Sequence, residues 1–168
     1  MKKYNIDYTL ATKDMVNEIL SIETKYNEVY DKDSVLEYID REQYVVALDK
    51  DNNNKVVGVL RYNYFRDDIP FCNMLFVLPK YRNAGIGKTL VLVWEAALVK
   101  VCNDCIMTSV KSNEDTLKFF DKLKYTVCGS MINTDNTTEI LLRKQYDYDT
   151  VSYVSTNYLR KLAHGSAD

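Results

Sequence analysis

The stretch KYRNAGIGKTLV, residues 80–91, has the residue types and the spacing that suit it to binding an anion. It contains two of the five glycines in the chain, Gly85 and Gly87, and it separates two apolar runs. The first N–H groups of a helix have no intrahelical acceptor, and the helix dipole adds partial positive charge there. Glycines at that place let a bulky phosphate group approach the main chain. Further positive charge comes from Lys80, Arg82 and Lys88. The stretch therefore predicts a phosphate-binding turn, with a glycine-rich structural turn as the alternative interpretation.

Two common phosphate-binding patterns match this stretch only in part. Residues 87–89 supply the last three positions of the P-loop G-x-x-x-x-G-K-[ST], but Arg82 occupies the position of its first glycine. The dinucleotide fingerprint G-x-G-x-x-G begins at Gly85 but has Leu90 in its last position. The pattern that fits throughout is Arg-x-x-Gly-x-Gly, residues 82–87.

The inventory of metal-binding and catalytic side chains narrows the chemistry further. His164 is the only histidine, which argues against a histidine base and against metal sites that need several histidines. Cys102 and Cys105 form a lone Cys-x-x-Cys, whereas zinc sites of that kind normally need a second pair of ligands. We therefore predict no metal and interpret the four cysteines as free thiols in a reducing compartment.

Composition and charge predict a single cytoplasmic domain. The chain has 168 residues, a formal net charge of −2 and a pI of about 5.5, so it lacks the basic footprint of a nucleic-acid-binding protein. No run approaches the roughly 20 apolar residues of a membrane helix. The opening residues MKKYNIDYTL lack the apolar region of a signal peptide, and we expect none.

The elements that must position the glycine turn follow from periodicity and from turn residues. Strands are predicted at residues 4–12, 43–49, 55–65, 71–77, 104–111, 126–133 and 137–144. Helices are predicted at residues 12–27, 31–42, 88–102 and 113–125. Residues 71–77 are apolar without clean alternation, which favours a strand buried on both faces. The glycine turn thus joins a buried strand to a buried helix.

Two segments of the chain, read together, resemble a known family. The stretch LFVLPKYRNAGIGKTLV resembles the coenzyme A loop of the GNAT superfamily of N-acetyltransferases, and NEDTLKFFDKLKY, residues 113–125, resembles that family's second motif. The resemblance covers roughly residues 4–143 and includes the order of the elements. It implies an α/β (α+β) fold with a mixed, mostly antiparallel sheet, a splayed central strand pair and helices on both faces. It also implies one GNAT-like domain over residues 1–143, followed by a Tyr-rich tail, 144–168.

The resemblance further implies acetyl-CoA as co-substrate, with no metal. Main-chain groups of the splayed strand would pair with the pantetheine arm, the loop would bind the pyrophosphate through its backbone N–H groups, and a motif asparagine would lie near the arm. The residues at these positions are Leu75, Phe76, Val77, Arg82, Asn83, Ala84, Gly85, Ile86, Gly87, Lys88 and Asn113.

The residues for proton transfer depart from the family's pattern. The position of the family's acidic tyrosine, seven residues after the motif asparagine, is Phe120, and residues 71–77 contain no carboxylate. Tyr125 is a candidate substitute acid, but the favoured interpretation is a core aromatic that ends the motif. Asp67 and Asp68 are candidates for attracting or deprotonating an amine, with a solvated turn as the alternative.

Two functions remain open from the sequence. The first is an enzyme that moves an acetyl group from acetyl-CoA to an amine of a small molecule or a protein by direct attack. The alternative is an acyl-CoA-binding module with weak or no catalysis. The tail offers a helical face through Val151, Val154, Tyr158 and Leu162, which suits packing on its own domain or a homodimer contact. Its last five residues, 164–168, are either native or a vector-derived remnant.

Overall fold

The computed structural model describes residues 3–26, 30–98, 105–111 and 113–145. Four helices form: α1 (Val16–Tyr26), α2 (Lys32–Asp40), α3 (Ile86–Leu98) and α4 (Glu114–Lys122). Seven strands form: β1 (Ile6–Leu10), β2 (Tyr44–Asp49), β3 (Lys55–Phe65), β4 (Ile69–Val77), β5 (Cys105–Lys111), β6 (Thr126–Ile132) and β7 (Thr138–Gln145). Each predicted strand and helix is present, and the order of the elements is the predicted one.

The strands form one seven-stranded sheet in the order β1-β2-β3-β4-β5-β7-β6. Every pair is antiparallel except β4 and β5, which are parallel and connected through α3. Neighbouring antiparallel strands need only short turns, whereas a parallel pair needs a crossover. The crossover between β4 and β5 therefore brings the glycine turn to the end of β4.

Helices cover both faces of the sheet and separate two apolar cores. On one face α3 lies almost wholly buried, and its Leu90 and Trp94 pack with Val45 and Leu60 of the sheet. On the other face α1 and α2 bury a second cluster that includes Ile19. Because α3 contacts apolar neighbours around most of its circumference, its sequence lacks a polar stripe. The fold class implied by the family resemblance is confirmed.

Strand β4 differs from the strand expected at residues 71–77. Only alternate positions, Pro70, Cys72 and Met74, are fully buried, while their neighbours are half-buried. The sequence lacks polar alternation because the second face of β4 borders a cavity and not bulk solvent. An apolar strand that lines a cavity and one buried on both faces have the same sequence pattern.

Some expectations fall on residues that lie outside the described ranges. They concern the tail from residue 146 onward, its apolar face and the homodimer contact, together with Cys102 and the end of the predicted helix at residues 99–102. Across the described ranges, every helix is too short or too polar to cross a membrane.

Candidate acyl-transfer site

The site begins where β4 and β5 part. The two strands pair only at Phe71 with Met107 and at Cys72 with Thr108, although β4 continues to Val77. At the last pair, the Thr108 hydroxyl donates to the carbonyl of Cys72 at 3.0 Å. Beyond this bond the strands diverge, and we call the opening between them the gap. The splayed strand pair expected from the sequence is therefore present.

A bulge in β4 lies at the closed end of the gap. In the register with β3, Arg61 faces Met74 and Tyr62 faces Cys72, so Asn73 is an extra residue between them. A bulge of one residue bends its strand and increases the local twist. Asn73 therefore marks the place where β4 turns away from β5.

The main-chain groups of β4 alternate between β3 and the gap. The N–H of Leu78 donates to the carbonyl of Val57 at 2.9 Å, so Leu78 faces β3. Because successive residues of a strand direct their N–H and C=O groups to opposite sides, Phe76 also faces β3. The same alternation directs the main-chain groups of Leu75 and Val77 toward the gap.

A cavity of about 1080 Å³ fills the gap and extends over the glycine turn. Nine of the predicted cofactor-binding residues line it, namely Leu75, Val77, Arg82, Asn83, Gly85, Ile86, Gly87, Lys88 and Asn113. Phe76 and Ala84 do not, since the Phe76 side chain packs against the core beneath α1 and α2 and Ala84 packs against the core beneath α3. Residues separated by almost forty positions in sequence thus surround one space.

The glycine turn leaves its amide groups available. The N–H of Thr89 donates to the carbonyl of Gly85 at 3.0 Å, so Gly85 is the first residue to accept a bond within α3. The N–H groups of residues 85–88 therefore have no intrahelical acceptor. Gly85 has φ +82°, in the left-handed region that favours glycine. This arrangement directs four donors and the positive end of the helix dipole at the cavity.

Gly87 keeps open the space between β4 and α4. A Cβ added there would lie 3.7 Å from the Val77 side chain and 3.9 Å from those of Leu75 and Phe119. These are ordinary van der Waals distances, so the fold itself tolerates a side chain at this position. The glycine therefore leaves room for something other than the protein.

Two side chains anchor the glycine turn from below. Nε of Arg82 donates to the carbonyl of Val77 at 2.9 Å, and its guanidinium lies 5.4 Å from the centre of the Phe76 ring. Tyr81 is buried, and its hydroxyl donates to Asp49 at 2.8 Å. Arg82 thus ties the turn to the end of β4, in addition to the positive charge that the sequence indicates.

Asn113 caps α4 at the other wall of the cavity. Its side-chain oxygen accepts hydrogen bonds from the N–H groups of Asp115, at 3.0 Å, and Thr116, at 3.2 Å. This is the ordinary role of asparagine at a helix N-cap, and it leaves the side-chain NH₂ group outside the cap.

Phe120 and Tyr125 differ sharply in position. Phe120 lines the cavity and is 3% exposed, while Tyr125 packs edge-on against it with the ring centres 5.1 Å apart. The Tyr125 hydroxyl donates to Glu95 at 2.8 Å, and Glu95 also pairs with Lys144 at 2.7 Å. The candidate acid Tyr125 therefore lies behind the cavity wall, in a buried network that joins α3 to β7.

Asp67 and Asp68 lie in the exposed turn between β3 and β4. Asp67 has φ +71°, as fits a tight turn. Asp68 precedes the bulge at Asn73 by five steps along the chain, which corresponds to roughly 17 Å at about 3.3 Å per residue. Neither aspartate is among the residues that line the cavity.

Ionisable side chains that sequence reasoning missed also line the cavity, among them Tyr26, Asp115, Lys122 and Glu139. Glu139 is the second residue of β7, faces Lys111 in the β5 register and accepts a hydrogen bond from the Asn133 side chain at 3.2 Å. Tyr26 ends α1 and packs edge-on against Phe76 at 6.0 Å. No local pattern marks Tyr26 and Glu139, because they reach the cavity through the packing of distant elements, whereas Asp115 and Lys122 lie in α4, within the motif segment 113–125.

Cys72 is buried at the closed end of the gap. Burial raises the pKa of its thiol to about 12, because the thiolate would lose its solvation. The thiol therefore stays protonated and serves neither as a base nor as a nucleophile at neutral pH. Within the described residues, no group of His, Cys, Asp and Glu side chains is arranged to hold a metal ion.

A family model for the acetyltransferase (GNAT) family matches residues 13–125, more than half of the chain. The chain belongs to the GNAT acetyltransferase family. The matched range includes the splayed strands, the glycine turn and α4, which are the elements that surround the cavity. No curated protein matches the chain.

Solved structures show the same GNAT fold at low sequence identity. Ard1 from Thermoplasma volcanium is 14% identical with a TM-score of 0.73, over 84% of this chain and 98% of that one. Naa50 from Arabidopsis thaliana, in complex with a bisubstrate analogue, is 20% identical with a TM-score of 0.67, over 84% and 99%. A GNAT-family acetyltransferase from Bacillus cereus is 21% identical with a TM-score of 0.67, over 85% and 99%.

Proposed function

We propose that this GNAT protein holds acetyl-CoA in the gap between β4 and β5 and transfers the acetyl group to the terminal amine of a peptide or protein. The observation that carries the proposal is the gap itself, closed at Cys72 and Thr108 and continuous with the unbonded amides of the glycine turn. Family membership supports the acetyltransferase activity.

The residues present fit coenzyme A. The N–H groups of residues 85–88 suit a pyrophosphate, and the absence of a side chain at Gly87 leaves room for it. The inward main-chain groups of Leu75 and Val77 suit the amides of an extended pantetheine arm, which would add to β4 as a strand does. The carbonyl of Val77 already accepts a bond from Arg82, so its N–H is the group left for that pairing.

The chemistry required of the protein is modest. Bound acetyl-CoA supplies a thioester carbonyl that a neutral amine can attack directly. The chain contributes backbone N–H groups on the gap side of β4, which suit the negative charge that develops on the carbonyl oxygen. It also buries the closed end of the gap among Cys72, Met74 and Phe120, which keeps water away. Tyr26 and Glu139 are our candidates for moving protons through ordered water, because they carry ionisable groups and border the cavity.

A peptide amine is favoured over a small, fully enclosed acceptor. The cavity wall includes the end of α1 and the start of β7, which belong to opposite ends of the chain. Among proteins of the same fold, the NatC complex is bound to a Gag peptide and CoA, and Naa50 is bound to an analogue that joins CoA to a peptide. These complexes support an extended acceptor for the present chain.

The experiment incubates the protein with acetyl-CoA and a panel of amines, namely short peptides with free and with blocked N-termini, a lysine side-chain analogue and a polyamine. We expect thiol release with the free N-termini and none with the blocked peptides. Thiol release with the polyamine alone would indicate that the acceptor is a small molecule and not a peptide. Tight coenzyme A binding without release for any amine would indicate a binding module. Thermal stabilisation by ATP and not by coenzyme A would overturn the proposal.

A further inference from the structure

Phe120 forms a wall of the cavity at the closed end of the gap. Strands β5 and β6 both pair antiparallel with β7, so they are parallel to each other, and α4 runs back along them as their crossover. From Asn113 to Phe120 the chain of α4 rises roughly 10 Å, at about 1.5 Å per residue. From Lys111 back to Thr108, β5 covers roughly the same 10 Å, at about 3.3 Å per residue. Phe120 therefore lies level with Thr108, where β4 and β5 cease to pair.

Two aromatic contacts and a polar network hold Phe120 in place. Its ring lies edge-on to the rings of Phe119 and Tyr125, with the ring centres 5.1 Å apart in each pair. Edge-on aromatic pairs at this distance are favourable beyond the area that they bury. Behind them the Tyr125 hydroxyl donates to Glu95 at 2.8 Å, and Glu95 pairs with Lys144 at 2.7 Å. The ring of Phe120 is therefore a fixed wall and cannot easily move aside.

The cavity narrows toward this closed end. Cys72, Met74 and Thr108 border it there, yet each of them is only 1–2% exposed. At the other end the cavity opens to solvent, since Arg82 and Lys88 border it and are exposed. A molecule that enters from the glycine turn therefore ends in a confined, mostly apolar space.

The direction of the bound cofactor decides which part of it meets this space. Under the proposed function the pyrophosphate lies at the glycine turn, and the amides of the pantetheine arm pair with gap-facing groups of Leu75 and Val77. The thioester follows the second amide along the arm, so it lies beyond Leu75, toward the bulge at Asn73. The acyl group at the end of the arm then meets the closed end of the gap.

We propose that Phe120 is a specificity-determining residue, which together with Cys72 and Thr108 limits the acyl group that the protein transfers to acetyl. The inference rests on the proposed function, because it places the thioester in the gap. A fixed apolar wall leaves room for a methyl group and clashes with a longer chain. One methylene more in such a pocket changes kcat/KM by about 10- to 200-fold. Phe120 has no proton to donate, and this steric role needs only the bulk of its ring.

Neighbouring residues of α4 offer a matched pair of variants. Phe119 also lines the cavity, but the tip of its ring would lie 3.9 Å from a Cβ added at Gly87, so it borders the glycine turn. Phe120→Leu and Phe119→Leu each replace a phenyl ring by a smaller apolar side chain, one at the closed end and one at the open end. Leucine keeps most of the apolar packing, so both variants should fold, as circular dichroism would show.

The measurement is kcat/KM for acetyl-, propionyl- and butyryl-CoA with one peptide acceptor. For the wild type we expect kcat/KM to fall about tenfold or more with the first added methylene. Phe120→Leu should raise the ratio of propionyl to acetyl transfer about tenfold, whereas Phe119→Leu should leave that ratio within about twofold, whatever its effect on coenzyme A affinity. Equal ratios in the two variants, or a wild type that uses butyryl-CoA as well as acetyl-CoA, would overturn the proposal.

Calorimetric binding separates this inference from the proposed function, because it needs neither an acceptor nor turnover. The wild type should bind butyryl-CoA about tenfold or more weakly than acetyl-CoA, and Phe120→Leu should reduce the difference to about threefold or less. Equal affinities of the wild type for the two thioesters would overturn the role of Phe120 alone. Discrimination between them without transfer to any amine would contradict the proposed transfer alone. A protein that binds no coenzyme A thioester would overturn both.

Discussion

The hydroxyl of Thr108 donates to the carbonyl of Cys72 at 3.0 Å, at the last point where β4 and β5 pair. This bond joins two strands that are distant in sequence, and it closes the gap at one end. Both residues are about 2% exposed, so water does not replace the bond when it is lost. This side-chain contact therefore reinforces the backbone pairing at the point where the gap begins.

Thr108→Val should loosen this end of the gap. The valine fills the same volume but leaves the carbonyl of Cys72 without its donor, so we expect the free energy of unfolding to fall by about 1–2 kcal/mol. Coenzyme A affinity should fall severalfold, because the strands no longer part at a fixed point. Denaturant titration and calorimetric binding measure the two effects. The control is Thr24→Val, which removes an exposed hydrogen bond from the Thr24 hydroxyl to the carbonyl of Leu20 within α1. Equal binding losses in both variants would contradict the argument.

Gly87→Asp should abolish coenzyme A binding and keep the fold. Since a Cβ at Gly87 meets only ordinary contacts at 3.7–3.9 Å, the backbone need not move. The carboxylate, however, would occupy the place assigned to the pyrophosphate and repel it. Calorimetry with coenzyme A measures the loss, and circular dichroism reports the fold. Asn53→Asp adds the same charge in the distant turn before β3 and should bind normally. Wild-type affinity in Gly87→Asp would refute the assignment of the loop.

Arg82→Lys should weaken coenzyme A binding without changing its dependence on salt. Lysine keeps the charge but loses the bond from Nε to Val77 and the contact with the Phe76 ring. If Arg82 acts mainly by holding the turn, affinity falls up to about tenfold, and the slope of affinity against ionic strength stays that of the wild type. A normal affinity in Arg82→Lys together with a large loss in Arg82→Gln would show that charge alone matters.

Tyr125→Phe should destabilise the protein and leave catalysis intact. The change removes the bond to Glu95 but keeps the ring against Phe120, so we expect about 1–3 kcal/mol less stability, as for other hydrogen bonds to a charged group. Because Tyr125 lies behind the cavity wall, kcat and its pH profile should match those of the wild type. A fall in kcat of tenfold or more, with the pH profile displaced, would restore Tyr125 as the acid.

Native-state alkylation should distinguish two cysteines. Cys72 is buried with its pKa raised to about 12, whereas Cys128 is exposed. At pH 8 we expect iodoacetamide to modify Cys128 and to spare Cys72 until denaturant is added, as mass spectrometry of the peptides would show. The unfolded chain loses this proton near pH 9, so the stability that the buried thiol contributes is full below pH 9 and declines toward pH 12. Rapid modification of native Cys72 would show that the closed end of the gap is open.

The elements and the glycine turn were predictable from local sequence. Hydrophobic periodicity, the Asn-rich turn after β2 and the N-cap at Asn113 are signals within a few residues, and each element formed where its signal lay. The predicted cofactor-binding residues from β4 to α3 are close in sequence, so a short motif contains most of them. Their assignment to coenzyme A remains a proposal that the variants above test.

The other residues of the site depend on contacts that no short window contains. Glu139 reaches the cavity because β7 pairs with β5, and Tyr26 because α1 packs across β3 and β4. The bulge at Asn73 appears only when β3 and β4 are aligned, since nothing in the sequence of β4 marks an extra residue. The bonds from Arg61 in β3 to Glu23 and Tyr30 likewise join a strand to α1 and to the segment before α2.

The sequence by itself determined the order of the elements, the glycine-rich turn at residues 82–88 and the absence of an acidic hydroxyl at Phe120, because these follow from residue type and short-range periodicity. Only the tertiary structure decided which main-chain groups face the gap, that Tyr125 lies behind its wall and that Arg61 reaches Tyr30. The physical reason is that these outcomes depend on strand register and on packing between elements far apart in the chain, and a shift of one residue in register would reverse the direction in which each group points.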